Sequence, residues 1–238
     1  YSNLSETIFS FFHRFIEKKY HLRRLSKILK DLALFKYPTI FDVGGNEGES
    51  IDFFLNLFEN PKIYSFEPET KSYKKLLDKY GKNKAVNLFK FAFGNKKEEL
   101  RLKINVKSST STLSKINTKS KYYNLKSLIL NPSKNNVFLG EEKVKVKKID
   151  DFFYQKKIKT IHILKIDTEG FDFNVIKGAK KALKKTKIII IEFQLNDMYL
   201  NYNPKKINDF LVSNNFTLVS ALKFPFMLYE DRIYINKR

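Results

Sequence analysis

Residues 39–58, TIFDVGGNEGESIDFFLNLF, run a β-rich apolar segment (Thr39–Val43) into a glycine-rich turn and then into a helical face made by Ile51, Phe54, Leu55 and Phe58. That order is strand, tight loop, helix. Downstream, Lys62–Phe66 predicts a second strand ending at Glu67, Pro68 opens a helix through about Tyr80, and Ala85–Phe93 predicts a third strand ending at Gly94. Glu99–Val106 and Lys143–Ile149 alternate in character and are expected to pair antiparallel around a polar stretch, 107–142, whose length suggests a lid or a structureless loop. A short helix at Asp150–Gln155, a strand at Ile161–Ile166, a helix at Phe171–Leu183, a strand at Lys187–Phe193, a helix at Pro204–Ser213 and two closing strands, Thr217–Lys223 and Met227–Asn236, complete the series. Strands that alternate with helices require right-handed crossovers. The fold class is therefore α/β, a Rossmann-like, mostly parallel sheet with helices on both faces, and ligands bind outside the carboxyl ends of its strands. Asp42–Gly48, Glu67, Phe91–Gly94, Asp167–Gly170 and Glu192–Gln194 lie at those ends.

Between Ser5 and Leu34, apolar residues recur at helical spacing (Ile8, Phe12, Phe15, Leu25, Ile28, Leu29) with arginines and lysines between them. These amphipathic helices either pack on the domain or on a second subunit, or present a basic face to a membrane or a lipid-linked substrate. The net charge of +21 raises nucleic acid as a partner, but the lysines are spread along helix faces rather than gathered in an arginine-rich stripe, which disfavours it. Absence of cysteine excludes disulfides, thiolate nucleophiles and cysteine-ligated zinc. With no apolar run long enough to span a bilayer and no leader pattern, a cytoplasmic location is expected, with peripheral membrane contact through the N-terminal helices left open.

Gly44, Gly45 and Gly48 let the chain turn sharply and bring backbone close to a ligand at a helix N-terminus. Glu67 falls nineteen residues after Gly48, at the end of the next strand, where a carboxylate accepts hydrogen bonds from ribose hydroxyls. A dinucleotide pattern ending at Gly48 needs glycine where Val43 stands, and no GK[ST] follows to make a P-loop. The loop instead carries Asp42, Asn46 and Glu47, groups that suit a cationic ligand better than a pyrophosphate. S-adenosylmethionine, with its sulfonium and amino group, fits that electrostatics.

LKIDTEGFDFNVIKGA, residues 164–179, places Asp167 and Glu169 at the sheet edge before a helix buried through Phe171, Val175 and Ile176. Together with FDVGGNEG, the Glu67 of YSFEPE, FAFGN, STSTL at Ser109–Leu113 and IIIIEF at Ile188–Phe193, this order of motifs resembles FkbM-type methyltransferases over about Ile40 to Phe193. The resemblance implies a class I S-adenosylmethionine-dependent fold and O-methylation of hydroxyls on sugars, polysaccharides or secondary metabolites. It also implies that Asp42, Gly44, Gly45, Asn46 and Gly48 hold the methionine portion, Glu67 the ribose, Phe91 and Ala92 the adenine, and that Asp167 faces the methyl group. Residues 1–37 then form an N-terminal helical segment and 38–238 the methyltransferase domain, with an insertion at 99–149. Gly45 departs from the alanine common in the family.

Methyl transfer is an in-line displacement, so alignment matters most, and an alcohol acceptor also benefits from a base. His162 lies five residues before Asp167 on one strand, roughly 16 Å from the edge at about 3.3 Å per residue, which removes it. His13 and His21 reach the site only if the N-terminal segment folds over it or comes from another subunit. Asp167, Glu169 and Glu192 are therefore the candidate catalytic residues. Lys165 shares the side of Asp167 and is expected to pair with Glu192. No metal is assigned, since the acids lack a characteristic ligand spacing. Ser108–Thr112 offers hydroxyls to a small-molecule or glycan acceptor, under a lid at Lys119–Lys126. A homo-oligomer, an RNA methyltransferase and a non-catalytic binding module on the same fold stay open at this point.

Overall fold

The structure, a computed structural model, describes residues 21–32, 35–130, 137–224 and 228–237. His13 and the helical pattern before residue 21 lie outside them. Helix α1 (Leu22–Leu32) is followed by β1 (Thr39–Val43), α2 (Glu49–Leu57), β2 (Lys62–Phe66), α3 (Thr70–Tyr80) and β3 (Val86–Phe89). Then come β4 (Ala92–Phe93), β5 (Glu98–Asn105), α4 (Lys121–Leu130), β6 (Phe138–Lys147), α5 (Ile149–Gln155), β7 (Ile161–Ile166) and α6 (Asp172–Lys177). Strand β8 (Thr186–Gln194), α7 (Pro204–Ser213), β9 (Phe216–Lys223) and β10 (Tyr229–Asn236) close the series. Seven strands form one sheet in the order β3-β2-β1-β7-β8-β10-β9, parallel except at β10, which runs antiparallel to both β8 and β9. The expected architecture is present.

Period-two alternation explains how both faces are covered. Along β8, Ile188 and Ile190 enter a cluster with Leu25, Leu29, Ile51 and Phe54, so α1 and α2 cover that face. Ile189, Ile191 and Phe193 point the other way, among Phe41, Phe66, Val175 and Ile176. Of the two readings of the N-terminal segment, its described part takes the first: Leu25 and Leu29 are buried on the domain. On the opposite face Phe152 of α5 is ringed by Phe41, Phe66, Phe89, Phe91 and Phe93, with ring centroids 4.9–5.9 Å away.

Two expected elements are divided. The strand expected over Ala85–Phe93 stops at Phe89, because its neighbour β2 ends at Phe66 and Pro68 has no N–H to extend the ladder beyond the bond from Glu67 N to Phe89 O. Ala92–Phe93 instead joins a second sheet, β4-β6-β5. The helix expected over Phe171–Leu183 ends at Gly178, where a Cβ would lie 2.0 Å from the Gly94 carbonyl oxygen, and resumes as a 3₁₀ turn at Ala182–Lys185 capped by Asp150. The β5–β6 pair forms as expected, and the described residues of its connection, 106–130 and 137, are structured. The connection contains a 3₁₀ turn at Ser108–Thr110, a bridge from Lys103 to Thr112, and α4, which begins inside the expected lid. Tyr123 and Leu130 of α4 pack with Val137, Met198 and Tyr199 in a separate cluster above the main sheet. Among the described residues no helix is long and apolar enough to cross a membrane.

Candidate active site

The loop after β1 is shaped by three close approaches. Gly44 sits at φ +90°, with its N–H and that of Gly45 both donating to the Phe66 carbonyl at 3.0 and 3.2 Å. A Cβ on Gly44 would lie 1.9 Å from the Asp167 carbonyl oxygen, so β7 is pressed against the loop. Gly48, at φ +93°, begins α2 beneath the Tyr80 ring, whose hydroxyl donates to the Gly48 carbonyl at 2.9 Å. Asp42 is fully buried under the loop and accepts from Ser50 Oγ at 2.7 Å and Ser65 Oγ at 2.8 Å. Asp42 and Gly48 thus hold the loop in shape from below, whereas Gly44, Gly45 and Asn46 line the cavity.

Glu67 follows β2 and is buried. Its Oε2 accepts from Asn46 N and its Oε1 from Glu69 N, both at 2.8 Å, which fixes the carboxylate toward the cavity. Burial is the main cause that pushes it up to about 8, against the lowering effect of those two amides. Ala92 and Phe93 line the cavity; Phe91 is not among the lining residues and packs with Phe93 in the aromatic core. Phe91 and Phe93, two residues apart, face the same way onto Phe152, with ring centroids 5.9 Å from it.

The cavity holds about 400 Å³ and runs from this loop, past the ends of β7 and β8, beneath Ser108–Ser111 and α4. At its centre Asp167, Glu169 and Glu192 each place a carboxylate oxygen within 4.8 Å of the others. Lys165 does not pair with Glu192. It faces Asp42 across β1 and Ile190 across β8, and its ammonium meets Asp167 at 3.1 Å and Asp42 at 4.0 Å. Glu192 is bonded by Gln194 Nε2, and Glu169 by the Tyr199 hydroxyl. Burial, followed for Glu192 by the neighbouring acids, raises both glutamates. Glu169 occupies φ +50° and is secured by Thr112 Oγ1 on its carbonyl at 2.6 Å. The same three acids are the described residues able to hold a divalent cation, an option the sequence leaves open without a characteristic ligand spacing to support it.

Several site residues carried no usable signal. Asp172, 1% exposed and pushed up to about 7 mainly by burial, accepts from Thr168 N and Oγ1 and so stiffens the turn after Asp167; the Thr-x-x-x-Asp spacing is its only trace. Tyr199 packs on Gly170 from a loop 29 residues later. Most distant in sequence is His21, which lines the cavity with Leu22 and Leu25 and bonds Asp231 Oδ2 through Nε2 at 2.7 Å. The described part of the N-terminal segment, at His21, Leu22 and Leu25, therefore reaches the site. His162 stays at the far end of β7, accepting from Thr39 N at 2.9 Å.

A cationic ligand that enters this cleft lowers carboxyl groups that burial has raised, so protons must leave. Binding of S-adenosylmethionine near pH 7 is expected to release protons and to tighten as pH rises toward about 8, the value reached by Glu67. Titration calorimetry in two buffers of different ionisation enthalpy measures this; equal apparent enthalpies would contradict it. S-adenosylhomocysteine, without the sulfonium charge, should release fewer.

Known proteins resemble the chain as follows. The model of the methyltransferase FkbM domain matches residues 42–218. The 2-O-methyltransferase NoeI of Sinorhizobium fredii is 26% identical over 209 residues, which cover 84% of this chain and 80% of that protein. Among solved structures, the methyltransferase FkbM from Methylobacillus flagellatus KT superposes with a TM-score of 0.55 at 14% identity, over 85% of this chain but only 45% of its own length. The fibrillarin pre-rRNA processing protein of Methanococcus jannaschii gives 0.51 at 12% identity, over 89% and 73%. M. capricolum TrmK, in complex with S-adenosyl-homocysteine, gives 0.50 at 13% identity, over 92% and 69%.

Proposed function

This chain belongs to the FkbM methyltransferase family, and on that premise we propose that it transfers the methyl group of S-adenosylmethionine to a hydroxyl of a saccharide or a related small polar acceptor. It is an S-adenosylmethionine-dependent methyltransferase, and the bound cofactor supplies an activated, electrophilic methyl group. The residues present fit that group. Gly44 and Gly45, whose missing Cβ atoms let the loop press against Asp167 and Ser65, line the cavity with bare backbone, Glu67 aims a fixed acceptor at the ribose, and the acids at the strand ends complement a cation.

The single observation that carries the acceptor class is the continuation of the cavity beyond the cofactor loop, with a carboxylic floor and a roof of hydroxyls from Ser108 to Ser111. Such a space offers a polyhydroxylated ring many directed hydrogen bonds, between apolar walls such as Phe53, Phe93 and Leu113 on which the faces of the ring can rest. In it Asp167, Glu169 and Glu192 hold the acceptor hydroxyl in line with the methyl group, and Tyr122 and Lys126 of α4 close over it. The relative named as a 2-O-methyltransferase supports oxygen as the acceptor atom.

Transfer of labelled methyl from S-adenosylmethionine to a panel of methyl glycosides of hexoses and 6-deoxyhexoses tests the proposal. Incorporation into at least one, in a product that resists mild base as an ether does and an ester does not, is the expected result. Incorporation into RNA with none into the panel would replace it.

A further inference from the structure

We propose that His21, oriented by Asp231, is the base that receives the proton of the acceptor hydroxyl, a role that rests on the O-methyl reading above. The two residues stand 210 positions apart, yet Nε2 of His21 lies 2.7 Å from Asp231 Oδ2, with side chains 7% and 18% exposed. Both line the cavity that Asp167 lines. Asp231 is the cross-strand neighbour of Glu192, and the Glu192 carboxylate lies within 4.8 Å of that of Asp167, so the dyad borders the acid cluster. The Phe224 ring, 5.4 Å away, backs the imidazole.

Chemistry favours this division of labour. An alcohol that attacks a methyl group must lose a proton, and the carboxyls on the floor are poor acceptors for it. Glu192 is already bonded by Gln194 Nε2 and Glu169 by the Tyr199 hydroxyl, while Asp167 is engaged by Lys165. A neutral imidazole whose Nε2–H donates to Asp231 keeps a lone pair on Nδ1, and Asp231 stabilises the imidazolium that forms. In the transfer the acceptor oxygen forms a bond to the methyl carbon as the carbon–sulfur bond breaks. The sulfur retains that electron pair and becomes a neutral thioether, and the hydroxyl proton passes to Nδ1; charge and atoms balance. Anchoring α1 is a weaker account of the pair, because Leu25 and Leu29 already seat that helix and a buried ion pair adds little net stability over apolar side chains.

Two measurements decide the matter, the first without any acceptor. In ¹⁵N-histidine-labelled protein at neutral pH, with and without S-adenosylhomocysteine, His21 should show a protonated Nε2 and a bare Nδ1; a protonated Nδ1 in the neutral ring overturns the proposal. With the best glycoside of the panel, His21→Ala should lower kcat about 100-fold, the scale of general-base catalysis, while the affinity for S-adenosylhomocysteine stays within about twofold. Added imidazole should then restore activity in proportion to its concentration. Unchanged kcat, or a loss that imidazole does not restore in a variant that still binds S-adenosylhomocysteine, overturns it. Failure of the wild-type protein on the whole panel is instead a failure of the O-methyl reading, and the tautomer measurement still decides the role of the dyad.

Discussion

Replacing Gly44 by alanine is expected to weaken S-adenosylmethionine binding by at least about 1,000-fold, roughly 4 kcal/mol. Two costs combine. At φ +90° a residue with a Cβ is strained by about 1–3 kcal/mol. The new methyl would also lie 1.9 Å from the Asp167 carbonyl oxygen, which belongs to the backbone of β7 and is held by the bond from Asp167 N to Val43 O at 3.0 Å. Neither partner is a flexible side chain, so relief requires separating β1 from β7 at the edge where the cofactor lies. Thermal unfolding and calorimetry with S-adenosylhomocysteine would report both losses. Gly140→Ala, where a Cβ meets nothing within 4 Å, is the matched control and should change neither. Near-normal affinity in Gly44→Ala would show that the loop after β1 does not hold the cofactor.

Glu67→Gln should cost on the order of 3–4 kcal/mol in cofactor affinity, several-hundred-fold. Each oxygen of Glu67 accepts one backbone N–H, from Asn46 and from Glu69. An amide keeps the shape but points its NH₂ at one of these donors, leaving a buried N–H without an acceptor and turning one ribose contact from acceptor to donor. Because Glu67 is raised to about 8 by burial, the substitution should also remove part of the proton release on binding and flatten the pH dependence of affinity below that value. An unchanged affinity and an unchanged pH profile would remove Glu67 from the cofactor site. The protein itself should also lose on the order of 1–3 kcal/mol of stability, because the unpaired N–H is present with or without the cofactor, and thermal unfolding would read that loss.

The half of the site built from local chain geometry was legible in the sequence, and the half built from distant contacts was not. Residues 39–58 contain their own strand, turn and helix, so the loop could be read directly, and Glu67 followed from its place at the end of the next strand. Periodicity could not show that β3 loses its partner at Phe66, so the strand expected through Phe93 is divided and Ala92–Phe93 joins the second sheet. Lys165 was matched with Glu192 because strand pairing was known but register was not; Asp42 stands opposite it. Nothing local ties His21 to Asp231 or Tyr199 to Glu169. Those contacts arise when α1 and the segment after β8 close over the sheet, and only long-range packing determines them.

Strand β10 leaves the ribosome after β9 yet lies between β9 and β8, so β9 has no place in the sheet until β10 arrives. During that interval the outer edge of β8, Ile188–Ile191, presents unpaired backbone beside a run of four isoleucines, the kind of template that recruits other chains. The same delay keeps Asp231 from His21, so the proposed base is complete only once β10 is in place. Accumulation in inclusion bodies should rise when translation outpaces the insertion of β10, because the β8 edge then stays open for longer.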